Sequence, residues 1–340
     1  MIIKFKNRKA ERQPTDTGTR IKKSAILASI SSILALLCYG PASMAANPLL
    51  NVISPTEWYM PVLKEGTLVY LQSAILQSSD KFYDRDGNSH TFEGPTSASG
   101  APNLDHSVSG ISRFAYVWSF ESLPNVGWIA EYFQPYASAR IYDAGDSVTG
   151  LADPLFLGGP YINPTPNSMI GYLGVVGAPF GSNDLSNHFW SYTNLIPMYY
   201  ERNDVTLEST LLYTIVGDQY HGGRKVHVGD SYSANVQVGY RVKPWLVPFV
   251  SYAWVKNETS RDADTGEAVR GMGPSTYACH GVLNGSGKCQ EQTLGGGVEF
   301  HFGKGDTNKL MLKYATSVDG ENANKTNAFY LFFVHPLLNS

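Results

Sequence analysis

The sequence predicts an all-β fold: a transmembrane antiparallel β-barrel of about twelve strands, of the outer-membrane type. Three observations predict it. Apolar and polar residues alternate with period two in segments of about ten residues, the length of a tilted strand crossing a bilayer. The connections between these segments alternate between short turns and longer polar loops, the plan of a barrel whose even strand count returns both ends to the periplasm. Large aromatics gather beside the short turns, where an interfacial girdle belongs. The composition agrees, with 340 residues that are 43% hydrophobic, 16% charged and net −3 in formal charge. No basic excess argues for nucleic acid. Outside the leader no uncharged apolar run nears the ~20 residues of a spanning helix, which excludes a helical membrane protein.

Taken in order, residues 1–46 read as a secretory signal peptide. Eight Lys/Arg face only Glu11 and Asp16 in this stretch, leaving a net of −9 on the rest of the chain. The apolar run Ala25 to Tyr39 follows Lys23, and small residues place cleavage after Ala45 or Ala46. Residues 47–64, with Pro55, Trp58, Tyr59 and Pro61, form either a periplasmic strap or a plug entering the lumen. The barrel then occupies 65–340.

Its expected strands lie near 65–77, 107–120, 127–141, 152–163, 169–179, 188–201, 204–217, 229–242, 245–257, 291–303, 308–318 and 326–336. The cleanest is Ser231 to Tyr240, where Tyr232, Ala234, Val236, Val238 and Tyr240 oppose Ser231, Ser233, Asn235, Gln237 and Gly239. Short turns are expected at Glu121 to Val126, Arg202-Asn203, Lys243-Pro244 and Gly303 to Thr307. Longer loops are expected at Asp80 to Asp105, Ala144 to Thr149, Gly181 to Ser186, Asp218 to His227, Asn257 to Gln290 and Asp319 to Lys325. The expected girdle is Trp118, Phe120, Trp128, Tyr199, Tyr200, Tyr240, Trp245, Phe300 and Phe302.

Catalytic and metal motifs are missing from this pattern. There is no G-x-S-x-G, H-E-x-x-H or Walker sequence, and the eight His are scattered. His221-Gly222-Gly223 reads as a turn, and Asp84-Arg85-Asp86-Gly87-Asn88 as a tight Asp-Gly turn rather than a calcium loop. No metal and no cofactor is implied. In an exported protein, Cys279 and Cys289 read as one local disulfide.

The lumen carries the functional expectation. With the apolar aromatic faces toward lipid, the inward set includes Arg113, Glu131, Phe133, Glu208, Asn235, Gln237, Glu299, His301, Lys309 and Lys313. These are few charges for a wide aqueous pore, and Glu299 and Lys309 on neighbouring strands should pair and narrow it. From Trp245 to Val255 both faces are apolar, placing Phe249 in a greasy lumen. Such an interior suits a hydrophobic solute.

Asp80-Lys-Phe-Tyr-Asp-Arg-Asp-Gly-Asn88, Asp153-Pro-Leu-Phe-Leu-Gly-Gly159, Val216-Gly-Asp-Gln-Tyr-His-Gly-Gly223, Gly229-Asp-Ser-Tyr232 and Val238-Gly-Tyr240 occur in that order. In these motifs the chain resembles the exported outer-membrane family named for the meta-cleavage pathway of phenol degradation. The resemblance runs from about residue 60 to the end and implies a barrel linked to aromatic-compound catabolism, with no catalytic residues to transfer. It departs at Phe333-Val-His-Pro-Leu-Leu-Asn-Ser340, where such barrels commonly end on an aromatic; either Phe333 serves with a short tail or assembly differs.

The combined expectation is a monomeric outer-membrane channel for passive uptake of small hydrophobic, aromatic compounds. Its partners are outer-membrane lipids, the barrel assembly machinery and the solute. The rivals are a lipid-modifying barrel enzyme and a structural or surface-interaction barrel.

Overall fold

The computed structural model describes residues 55–60, 66–84, 86–91, 104–141, 147–182, 185–186, 189–221, 224–268, 288–303 and 307–339. The expected signal peptide and Cys279 lie outside them.

Twelve antiparallel strands form one closed ring. They are β1 (Thr67–Tyr83), β2 (Leu104–Phe120), β3 (Leu123–Ile141), β4 (Ser147–Leu151 and Leu155–Ile162), β5 (Ser168–Gly171 and Leu173–Gly177) and β6 (Ser191–Arg202). The ring continues with β7 (Val205–Val216), β8 (Ser231–Tyr240), β9 (Leu246–Asn257), β10 (Cys289–Phe302), β11 (Asn308–Glu321) and β12 (Ala323–Asn339). Each strand pairs with the next, and β12 returns to β1 from Thr67↔Asn339 to Tyr83↔Ala323. Closure matters in lipid, where no water is available to satisfy an open edge.

Side-chain alternation sets the two faces. Along β8 the buried set is Ser231, Ser233, Asn235, Gln237 and Gly239, while Tyr232, Val236, Val238 and Tyr240 are exposed on the outer face. The same outer face carries Phe114, Tyr116, Phe156, Leu207, Leu211, Val250, Leu294, Leu312 and Phe329. Beside the short turns the aromatics touch ring to ring, as in Trp118–Phe120, Phe120–Trp128, Trp245–Phe300 and Phe302–Phe333. Tyr199 departs from the expected girdle: it is buried on the inner face, where its hydroxyl donates to Glu201 at 2.5 Å. Its neighbour Tyr200 takes the outer position, because adjacent strand residues cannot share a face.

Several boundaries differ from the expected ones. β1 runs six residues past 77 to Tyr83, so the first loop begins later. The expected loop Asp319 to Lys325 is a tight turn in which Asn322 (φ 50°) joins Glu321 to Ala323. The alternation of short and long connections therefore fails at that hairpin. β4 starts at Ser147, inside the expected loop 144–149, and is interrupted at 152–154, where Pro154 has no N–H for the ladder. β5 breaks at Tyr172, whose N–H bonds the Pro160 carbonyl at 3.0 Å. Part of the loop Asp218 to His227 is itself sheet: Asp218–His221 pairs Arg224–His227, which pairs Arg261–Asp262. β12, expected to end near residue 336, continues through Leu338 to Asn339, so the described residues after Phe333 are strand rather than tail.

Candidate functional site

The inner face is buried among the strands' own side chains. Arg113, Glu131, Phe133, Glu208, Gln237, Phe249, Glu299 and Lys313 are all between 0 and 5% exposed. A wide water-filled bore would leave such residues wet. Every one of them stands inward, as expected, with Lys309 half-buried beside them. Phe249 lies against bare backbone: a Cβ at Gly297, its partner across the ladder, would come within 2.9 Å of the ring.

Residues 55–60 lie within this interior, and consecutive side chains reach different walls. Thr56 Oγ1 donates to Glu299 Oε1 on β10 at 2.5 Å, and its carbonyl accepts from Lys309 Nζ on β11 at 2.5 Å. Glu57 Oε1 accepts from Arg113 Nη2 on β2 at 2.6 Å. The backbone N–H of Trp58 donates to Glu208 Oε2 at 3.2 Å, and its indole N–H to Thr210 Oγ1 at 3.1 Å, both on β7. Since β2 and β7 stand on nearly opposite sides of the ring, these three residues cross the bore. The Tyr59 ring then meets Tyr199, centroids 5.4 Å apart, and the Met60 carbonyl accepts from Asn163 Nδ2 at 3.1 Å. Sequence gave no sign of these anchors, because alternation describes strands and not what crosses between them.

The charges form two groups. In the first, Arg113 Nε donates to Glu131 Oε1 at 2.5 Å while Nη2 serves Glu57, and the guanidinium lies 4.8 Å from the Phe133 ring centroid and 5.8 Å from that of Phe332. Two aromatic rings and two carboxylates thus fix one cation. In the second, Glu299 Oε1 is 2.5 Å from His301 Nε2 and also accepts from Thr56. The expected Glu299 and Lys309 contact is made through Thr56, which bonds both. Lys313 Nζ faces the Tyr330 ring, 5.5 Å from its centroid.

Beside the segment lies a cavity of about 380 Å³. Its walls are Thr67, Val69 and Leu71 of β1, Ala115 and Val117 of β2, Ile129 of β3, and Val334 and Pro336 of β12, with Trp58, Tyr59 and Met60 on the segment's side. Arg113, Glu131, Glu57 and Lys309 supply its polar edge. Thr67, Thr307 and Pro336 place it at the short-turn end of the barrel. An apolar chamber with a few converging polar groups, of this volume, is the usual form of a small-molecule site. The opposite half of the interior is lined by small polar side chains, Ser191, Thr193, Thr214, Ser231, Ser233, Thr293 and Ser317. Cys289 is disulfide-bonded and buried at that end, and its sulfur accepts from Asn257 Nδ2 at 3.3 Å.

On the loops, Asp84 closes the expected turn. Its Oδ1 accepts from the N–H groups of Asp86 and Asn88, each at 2.8 Å, and Oδ2 meets His90 Nε2 at 2.7 Å, with Gly87 at φ 81°. These bonds, that to His90 foremost, pull its pKa down to about 2. Asp218 is likewise held below the ordinary carboxylate value by Lys225 and then by His227.

A family model described as "Putative MetA-pathway of phenol degradation" matches residues 80–333. Among solved structures, an outer membrane channel from Pseudomonas putida F1 superposes with a TM-score of 0.64 at 12% identity, covering 82% of this chain and 97% of that one. The monoaromatic hydrocarbon channel CymD superposes with a TM-score of 0.43 at 9% identity, covering 88% of this chain and 95% of that one. A deletion mutant of the monoaromatic hydrocarbon channel TodX gives 0.43 at 10% identity, covering 83% and 92%. No curated protein matches the sequence.

Proposed function

The chain belongs to that phenol-degradation family, and from this premise we propose that it is an outer-membrane channel for passive uptake of small aromatic compounds. The observation that carries the reading is the cavity: an apolar chamber of about 380 Å³ inside a closed transmembrane barrel, at its short-turn end. The cavity opens at the short-turn end and is lined mainly by apolar side chains, which suits an aromatic ring. Solute collected among the loops moves through the interior to the chamber and out on the periplasmic side. The gradient maintained by catabolism is the only driving force. The barrel works as a monomer in outer-membrane lipid, delivered by the assembly machinery, and no step makes or breaks a bond in the solute.

The enzyme reading would need a serine or histidine at the rim with a nearby acid. His90 and His227 do pair with Asp84 and Asp218. Asp84, however, is spent on turn amides and Asp218 on Lys225, and among the described residues neither ring is joined to a serine hydroxyl.

The test is uptake of labelled aromatic and aliphatic hydrocarbons, at limiting concentration, in a deletion strain complemented with this gene. Restored uptake of the aromatic class is expected, with a several-fold loss in Phe133→Asp or Phe249→Asp chains that reach the membrane in normal amount. Equal uptake with and without the gene would refute the channel, and unchanged uptake in both variants would remove these residues from the path.

A further inference from the structure

The Arg113 group has a feature that uptake of neutral hydrocarbons does not require. A guanidinium and one carboxylate on the barrel wall are already neutral together: Arg113 and Glu131, joined through Nε. Glu57 adds a second carboxylate at Nη2, so two carboxylates share one guanidinium. Glu131 fixes one edge of the guanidinium and the Phe133 and Phe332 rings lie close to it, so the Nη edge is presented in a constant place. The carboxylate on that edge belongs to the crossing segment, not to the wall.

We propose that the Nη edge of Arg113 is the anion subsite of an aromatic-carboxylate site in the inner cavity, filled here by the chain's own Glu57. An incoming single-ring carboxylate takes the place of Glu57 and frees residues 55–60 from the bore. This rests on the channel reading and extends it from neutral hydrocarbons to aromatic acids.

Two arguments favour that ligand class. Exchange of one carboxylate for another leaves the buried charge unchanged, whereas loss of Glu57 to a neutral phenol or toluene would give up a charge-assisted hydrogen bond with nothing in return. The space next to the Nη edge is the apolar cavity, whose Leu71, Ala115, Val117, Ile129 and Val334 would receive a ring. When the segment parts, Glu299 keeps His301, while Glu208 gives up the Trp58 N–H and Thr210 the indole N–H, a cost that burial of the incoming ring must offset.

Glu57 is a tethered competitor, and a tethered group acts at an effective concentration in the millimolar range. Free ligand should be needed at about that level. The experiment is conductance of the purified full chain in planar bilayers, with sodium benzoate as probe, sodium acetate and phenol as controls, and three proteins: wild type, Glu57→Gln, and the double variant Arg113→Gln/Glu131→Gln, which removes the wall's ion pair and with it the guanidinium that holds Glu57. Millimolar benzoate should raise the open probability of the wild type several-fold, with acetate and phenol giving little change. Glu57→Gln should be open about tenfold more often without ligand, and the double variant should not respond to benzoate. If Glu57→Gln opens but benzoate acts no differently from acetate, the anion subsite is wrong and the channel stands. If the double variant still responds, Arg113 is not the subsite. If none of the three conducts and the gene restores no uptake, the channel reading falls and takes this proposal with it.

Discussion

At the residue scale, the chain separates charges that tie loops from charges that stand on the inner face of the barrel. Asp84 is the clearest of the first kind. Its pKa of about 2 lies below the ordinary aspartate value of ~3.9. A group depressed on folding contributes stability that is present above the unfolded value and lost as pH falls through the folded one. The turn should thus hold at pH 5 and loosen between about pH 4 and 2. The Asp84 carboxyl carbon, followed by NMR in micelles, should titrate with a midpoint near 2. A midpoint near the ordinary value would mean that its bonds to His90, Asn88 and Asp86 do not persist in solution. Of the second kind, Arg113, Glu131, Glu208 and Glu299 were legible in sequence because each occupies the polar phase of an alternating strand. An outward arginine at mid-membrane costs about 2–4 kcal/mol and an outward carboxylate less, which makes inward the cheaper direction for each. Tyr199 was misread since tyrosine suits either face, and only the phase of its strand, set by Tyr200 outside, decides.

At the element scale, the hairpins show what period-two reading can and cannot give. The turn Asn203-Asp204 between β6 and β7 was placed within a residue. Both its residues have positive φ, 50° and 65°, as a two-residue hairpin turn with the right-handed strand twist requires. An L-residue there carries a steric cost of ~1 kcal/mol that glycine avoids. Asp204→Gly should stabilise the barrel by roughly 0.5–1 kcal/mol, since the contact it makes through its backbone carbonyl, accepting from Arg241 N–H at 2.7 Å, survives the change. The urea midpoint for unfolding from lipid vesicles should rise; a fall would show that the aspartate side chain holds the turn. Breaks inside strands were not legible. Both halves of β5 pair with β6 as one strand would, Ile170 to Met198 and Leu173 to Leu195, so Tyr172 between them leaves no mark on the pattern. The turn at Asn322 was hidden for the opposite reason: Asp319, Gly320, Glu321 and Asn322 carry the composition of a loop but pair as strand up to the last residue before the turn.

At the scale of the whole molecule, what holds the ring shut is the seam between the first strand and the last. The last strand is expected near 326–336, and the residues after Phe333 are open to two readings, a short tail or a different assembly. In the structure they finish the barrel. Leu71 pairs Val334, Tyr70 pairs His335, Val69 pairs Pro336, and Leu68 and Thr67 pair Leu338 and Asn339, with a register shift between Leu68 and Val69 next to the proline. Truncation after Phe333 would strip the start of β1 of these partners, although β1 keeps β2 on its other side through Thr67↔Val117. Unpaired backbone groups at the membrane cost several kcal/mol each, so the loss exceeds what a marginally stable fold can absorb. The truncated chain should no longer migrate as a compact barrel in SDS without heating. Phe333→Ala keeps every backbone bond of the seam, losing only its ring contacts to Phe302 and His335, and should remain compact. If the truncated chain stays compact while Phe333→Ala unfolds, closure depends on the aromatic and not on the seam. The cavity sharpens the expectation, since Val334 and Pro336 form part of its wall: a chain truncated there loses the inner chamber along with the ring's closure.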